Sequence, residues 1–254
     1  MTVAQYPSLL GNSVFISGGA GGIGASLVKA FARQGAYVTF VDTDQSSGNS
    51  LAEEVRAISG AKILFQACDI REIESLQKAI NYAQQEHGGL GILINNVGDD
   101  ARHSLISVTE DSWKQALAVN LNHVIFAAQA VAPHMRNRGK GSIINIGSIC
   151  HKLPNTNVIA YAAAKAAVHS LTRSLAKELG KDMIRVNTLS PGWVMTEKQK
   201  KLWLNPEAER LIDTTQCLPV RILAEDIAEM ALFLGSDASR CCTAQEFIVD
   251  AGWV

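Results

Sequence analysis

The chain has 254 residues, 47% of them hydrophobic and 19% charged, with a formal net charge of -1. That composition is ample for a sizeable core, and its near-neutral balance without a basic run excludes the electrostatic footprint of a nucleic-acid or anionic-membrane binder. Five cysteines (Cys68, Cys150, Cys217, Cys241, Cys242) show neither CxxC nor zinc-type spacing, which predicts a reduced, cytoplasmic protein.

The opening stretch MTVAQYPSLLGNSVFIS lacks the cationic segment and apolar run of a secretory signal. No apolar stretch is expected to reach membrane-spanning length. Short β-branched runs then alternate with helical patterns along the whole chain. The runs are SVFIS from Ser13, YVTFV from Tyr37, KILFQ from Lys62, GILIN from Gly91, SIINI from Ser142, IRVNTL from Ile184 and EFIVD from Glu246. They are apolar on both faces, as strands covered on both sides must be. A first helix is expected to open near Gly22 and to stop at Gly35, a C′ residue. Thr109, followed by Glu110 and Asp111, reads as an N-cap with acids in the first turn. Strict alternation predicts a single α/β domain over 1–254, a Rossmann-type doubly wound parallel sheet of about seven strands. The least regular region, about 191–223, is expected to be a substrate-binding insertion beyond the strand ends. Within it, EKQKK at Glu197–Lys201 reads as a solvated helix face.

Chemistry first becomes legible in SVFISGGAGGIGASLVKAFARQGAYVTFVDTD, a strand, a glycine-rich turn, a helix and a second strand ending at Asp42. Gly18, Gly22 and Gly24 allow a tight turn, close approach of backbone to a pyrophosphate, and close helix–strand packing. The helix N-terminus behind them offers free N–H groups and the positive end of its dipole. The strand–turn–helix context makes dinucleotide binding the expectation. At the second strand end a carboxylate can accept from both ribose hydroxyls and repel a 2′-phosphate. Neither Thr43 nor Gly21 supplies a cation to receive that phosphate, so NAD is expected. The competing reading of Asp42 is a turn-forming acid at a strand end.

Further along, YAAAKAAVHSL sets Tyr161 and Lys165 four residues apart, one above the other on a helix face. They could be two snorkelling tips of an amphipathic core helix, or a phenol and an amine serving one site. None of the six histidines stands in metal-ligand spacing, so no metal is expected.

The GxxxGxG spacing together with Tyr161-x-x-x-Lys165 resembles the short-chain dehydrogenase/reductase family, and the likeness runs over essentially the whole chain. NNVG at Asn95–Gly98 is similar to the family's NNAG, with Val97 in place of alanine. VNL carries the helix asparagine, Asn120; INIGSI carries the serine, Ser148, thirteen positions before Tyr161; SPGWVMT is similar to the segment that flanks nicotinamide. The resemblance implies catalytic roles for Asn120, Ser148, Tyr161 and Lys165. It implies cofactor contacts from Gly18, Gly22, Ile23, Gly24, Asp42, Asp69, Ile70, Asn96, Gly98, Tyr161, Lys165, Pro191, Gly192, Val194 and Thr196. A free phenol titrates near ~10, too high for a base at neutral pH, and a neighbouring cation favours the phenolate. Lys165 and an oxidised nicotinamide would both act so. Ser148 would hold the reacting oxygen, and Asn120 a water linking Lys165 to solvent.

QYPSL before the first strand, DDARHSL after the fourth, TQCLPVRI and the ending CTAQEFIVDAGWV resemble bacterial aldose 1-dehydrogenases within that family. The likeness implies oxidation of a sugar's anomeric hydroxyl to the lactone, in a homotetramer whose helices near Trp113–Arg136 and Ala160–Glu178 form a four-helix contact. A sugar site needs several hydrogen-bonding groups and an aromatic face. Candidate substrate contacts are Asp100, Ser148, Cys150, His151, Asn157, Tyr161 and Trp193, with Asp99, Asn155 and Trp203 nearby. Arg102 and His103 are either further contacts or a structural pair. Two other readings stay open: an NAD(P)H-dependent ketone or 3-oxoacyl reductase, and a catalytically silent NAD-binding protein.

Overall fold

The computed structural model describes residues 4–59 and 61–254. Every run expected to be a strand is one, to within two residues: β1 (Ser13–Ser17), β2 (Tyr37–Asp42), β3 (Ile63–Ala67), β4 (Ile92–Asn95), β5 (Gly141–Ile146), β6 (Ile184–Pro191) and β7 (Glu246–Val249). Between them lie α1 (Gly22–Arg33), α2 (Gln45–Ser59), α3 (Ile73–His87), α4 (Glu110–Leu117), α5 (His123–Arg138), α6 (Ile159–Leu179), α7 (Glu197–Leu202), α8 (Pro206–Thr215) and α9 (Ala224–Gly235). The strands form one parallel sheet in the order β3-β2-β1-β4-β5-β6-β7. The chain is a single α/β domain. Its strand order reverses between β1 and β4, the switch point at which such sheets bind ligands.

Two apolar layers flank the sheet. On one face Leu27 and Phe31 of α1 pack with Val55 of α2 and with Ile227 and Leu232 of α9. On the other, Leu76 and Ile80 of α3 pack with Val131 and Met135 of α5 and Leu175 of α6. The expectation that all strands are covered on both faces holds for the inner five. The outer strands β3 and β7 are only partly buried, because an edge strand has a neighbour on one side alone. Thr109 caps α4 reciprocally with Ser112, each side chain accepting from the other's backbone N–H.

One expectation is corrected. From Glu110 to Arg138 the chain is a continuous 29-residue helix, long and apolar enough by composition to cross a membrane. Polar residues such as Asn120, Asn122, His123 and Gln129 interrupt every apolar run in it, which hid this from a search for uninterrupted stretches. Its buried side chains, among them Val124, Ala127, Ala128 and Val131, pack into the domain core.

Candidate active site

Loops leaving the C-terminal ends of β1, β4, β5 and β6 surround a cleft of about 1350 Å³ at the switch point. Gly21 caps α1 without a side chain, so the first-turn amides of α1 have no side-chain partner and stand at the cleft, where Gly22, Ile23 and Gly24 line it. A Cβ at Gly24 would lie 1.8 Å from the Gly18 carbonyl oxygen, so only glycine lets the helix approach the loop this closely. Asn96 ties the loop to β4 by donating from Nδ2 to the carbonyls of Ser17 (3.0 Å) and Gly18 (2.9 Å). Asp42 accepts at Oδ2 from the Ala20 amide (3.0 Å) and at Oδ1 from the Asp44 amide (3.1 Å). Those bonds fix its carboxylate at the cleft wall and leave each oxygen spare acceptor capacity. Asp69 and Ile70 also line this end, but the Asp69 carboxylate is engaged by Arg71, whose Nε lies 3.0 Å from both its oxygens. Those bonds hold the Asp69 carboxyl below the usual carboxylate range. Pro191, Gly192, Val194 and Thr196 form the opposite wall, and the Thr196 methyl would be 3.3 Å from a Cβ at Gly22. Uncapped helix amides, a glycine cradle and a free-faced carboxylate fit a dinucleotide.

At the centre of the cleft four residues meet from three elements. Ser148 follows β5, Tyr161 and Lys165 come from α6, and Asn120 comes from a π-turn (Ala118–Asn122) joining α4 to α5. The Ser148 hydroxyl hydrogen-bonds the Tyr161 phenol and also stands beside the Cys150 thiol. Lys165 is buried, donates from Nζ to the Ile146 carbonyl (2.8 Å), and lies 5.6 Å from the Tyr161 ring centre. Burial pulls the Lys165 ammonium down to about 8, opposed by the Cys150 thiol, and pushes the Tyr161 phenol up. The reading of Tyr161 and Lys165 as mere snorkelling tips fails on this point, since Lys165 reaches inward. The wide turn at Asn120 aims its side chain at the β4 loop: Oδ1 accepts from the Asp99 amide (2.8 Å), while Nδ2 donates to the carbonyls of Asp99 and Ala116 (both 3.0 Å). Both Lys165 Nζ and Asn120 Oδ1 crowd Gly98, where a Cβ would lie 3.2 Å from the ammonium.

Beyond this centre the wall is formed by Asp100, Cys150, Asn155, Asn157 and Trp193, as the sequence had led us to expect, and by Trp203 and Trp253. Trp253 has no sequence signal pointing to the site, since it lies 60 positions from Trp193, and the fold alone brings it to the cleft beside that residue, with ring centres 6.4 Å apart. Arg102 and His103 do not act as a pair. The Arg102 guanidinium stacks 3.8 Å over the Trp203 ring inside the cleft, whereas His103 accepts from the Ala160 amide at the start of α6. The solvated face expected at Glu197–Lys201 is partly a strap, because Lys198 and Gln199 bind Asp99 and Asp100 across the cleft mouth.

His151 departs from its expected place. It is absent from the cleft wall, since its Nδ1 donates to the Ser148 carbonyl (2.7 Å) and turns the ring away. The ring stacks instead on His169 of α6, with centres 3.9 Å apart, and both face Glu246 of β7. Three residues without metal-type spacing in sequence are thus brought together by the fold.

A family profile described as "Enoyl-(Acyl carrier protein) reductase" matches residues 18–254. The chain is 43% identical over 255 residues to D-xylose 1-dehydrogenase of Caulobacter vibrioides, covering 100% of each protein. It is 45% identical over 249 residues to a Rhizobium meliloti protein named "Probable galactose dehydrogenase GalD", covering 98% of this chain and 97% of the relative. The solved structure of a 7α-hydroxysteroid dehydrogenase complexed with NADH and 7-oxo glycochenodeoxycholic acid superposes with a TM-score of 0.93 at 30% identity, covering 99% of this chain and 98% of the other. With likeness running the full length in both sequence and structure, this chain belongs to the short-chain dehydrogenase/reductase family and is an oxidoreductase, a dehydrogenase acting on CH–OH donors.

Proposed function

We propose that the protein oxidises the anomeric hydroxyl of an aldose to the lactone, with NAD as the cofactor. The observation that carries this reading is the cleft wall beyond Tyr161: Asp100, Asn155 and Asn157 offer polar groups, Trp193 and Trp253 offer flat apolar faces, and Trp203 carries the Arg102 guanidinium on its ring. That mixture suits the hydroxyl-studded edge and C–H face of a sugar ring. The likeness to a named D-xylose 1-dehydrogenase adds to it.

Bound NAD would take the hydride leaving the anomeric carbon, and its pyridinium would add positive charge beside the phenol. Gly18, Gly22, Ile23 and Gly24 would hold the pyrophosphate, Asp42 the adenosine ribose, and Lys165 the nicotinamide ribose. Ser148 would donate to the reacting oxygen and orient it toward Tyr161. Tyr161 would take the hydroxyl proton as general base, favoured by the nearby Lys165 ammonium. Asn120 would position the loop at Asp99 and the surroundings of Lys165. Asp42 would oppose a 2′-phosphate, and Arg71, the cation at that end, is committed to Asp69.

We place the working unit as a homotetramer in the cytoplasm. All five cysteines are free thiols, which suits a reducing compartment. α4 buries no residue in its own domain, and Leu105 and Ile106 just before it are exposed at 74% and 97%, which leaves an apolar face for another copy.

The test is an initial-rate screen of pentoses and hexoses with NAD, with lactone detected directly, beside a 3-oxoacyl thioester with NADH or NADPH. Faster turnover of an aldose supports the proposal. Preference for the thioester would replace it with the reductase reading, to which the description of the matched family profile lends weight.

A further inference from the structure

Behind the catalytic serine, on the side away from the cleft, His151, His169 and Glu246 converge from the turn after β5, from α6 and from β7. One ligand-type atom from each lies within 4.8 Å of the other two. Both imidazole Nε2 atoms are 3.7 Å from Glu246 Oε1. That oxygen is buried, has no hydrogen-bond partner among the described residues, and faces the Nε2 edges of the two stacked rings, with the Ser190 hydroxyl also beside the Glu246 carboxylate. None of the three lines the substrate cleft.

We propose that His151, His169 and Glu246 form a binding site for a divalent transition-metal ion of the zinc class. Imidazole and carboxylate ligands in this ratio suit zinc and its neighbours. At metal–ligand lengths of ~2.0–2.2 Å, a tetrahedral ion sets its ligand atoms about 3.4 Å apart. The two imidazole–carboxylate gaps of 3.7 Å would close by a few tenths of an ångström, while the gap between the two imidazoles, within 4.8 Å, needs the rings to re-orient. The surroundings are prepared for the ion. His151 Nδ1 donates to the Ser148 carbonyl, which fixes the tautomer with its lone pair on Nε2, the atom facing Glu246. Lys152 holds the other carboxylate oxygen, Oε2, at 2.8 Å and leaves Oε1 free to coordinate. The Ser190 hydroxyl, 3.4 Å from His169 Nε2, or a water would complete the shell. The Lys152 ammonium beside the carboxylate weakens the site relative to a fully anionic one. Because the ion would link the turn carrying Cys150 to the helix carrying Tyr161 and Lys165, its role would be to brace the site, with no part in the chemistry.

The experiment titrates the purified, metal-stripped full chain with Zn²⁺ by calorimetry, and with Co²⁺ by visible absorption. The expected result is one tight ion per chain, a raised melting temperature, and cobalt d–d bands without the thiolate charge-transfer absorption that cysteine ligation would bring. His169→Gln and Glu246→Gln are each expected to weaken binding by at least about tenfold. His151→Ala, on a short surface turn, applies the same criterion should either core variant fail to fold. Failure to saturate at one ion per chain, thiolate bands, or an affinity unchanged in His151→Ala would overturn the proposal. None of these readouts depends on the sugar dehydrogenase reading.

Discussion

Lys198 Nζ on α7 lies 2.9 Å from Asp99 Oδ1 and 3.3 Å from Asp100 Oδ1, two residues of the loop that Asn120 clamps at Asp99. The pair joins the segment after β6 to the loop after β4 across the mouth of the cleft, and Gln199 reinforces it by donating to Asp100 at 2.7 Å. Both partners of the Lys198–Asp99 bridge are about half exposed, at 51% and 49%. Such pairs contribute at most ~1 kcal/mol, so Lys198→Met should raise the substrate KM by no more than about fivefold and leave kcat unchanged. Steady-state kinetics with the preferred aldose would check it, and a loss confined to kcat would show that the strap works in the chemical step.

Removing the phenol should be far more costly. Tyr161→Phe keeps the ring against Ser148 and Lys165 but deletes the proton acceptor. General acid–base groups contribute ~10²–10⁴-fold, and turnover should fall by that much. NADH binding, followed by fluorescence quenching, should hold. A comparable rate in the variant would mean that another group takes the proton.

Cofactor choice should rest on Asp42. Like charges set side by side in a binding site cost several kcal/mol, so Asp42→Ala combined with Thr43→Arg should raise kcat/KM with NADP by at least about tenfold. The comparison is kcat/KM for both cofactors in the parent and the double variant. Equal use of both by the parent would remove the assigned role.

His123 gives a pH signature. It is 1% exposed, one helical turn past Asn120, and burial followed by the Lys165 charge lowers its pKa from 6.5 to about 3. Between those values the unfolded chain binds a proton that the folded chain refuses, so stability falls as pH falls from about 6.5 toward 3. The slope for one such group is ~1.4 kcal/mol per pH unit. Urea midpoints across that window should drop more steeply for the parent than for His123→Leu. Parallel curves would mean that His123 takes up its proton in the folded state.

Assembly is open to a direct measurement. Light scattering at micromolar concentration should return four chains, and Ile106→Glu, placing a charge on the exposed face before α4, should shift the population to smaller species. A monomeric parent would refute the tetramer.

The glycine loop and the strand runs were readable because their signals are local: a strand, a tight turn and a helix follow one another within a few residues, and period and turn chemistry need no partner. Tyr161 and Lys165 were readable as co-facial for the same reason, since helical geometry alone sets i and i+4 together. What the chain order could not reveal is contact across strands. His151 stands next to the serine in sequence, yet a single bond to the Ser148 carbonyl turns its ring from the cleft toward His169 and Glu246, which lie on another helix and on the far edge strand. Trp253 reaches Trp193 only because β7 returns beside β6, and Lys198 becomes a strap only because α7 folds back over Asp99. Residues far apart in the chain meet where the sheet order and the crossovers put them, and no spacing within the sequence encodes that meeting.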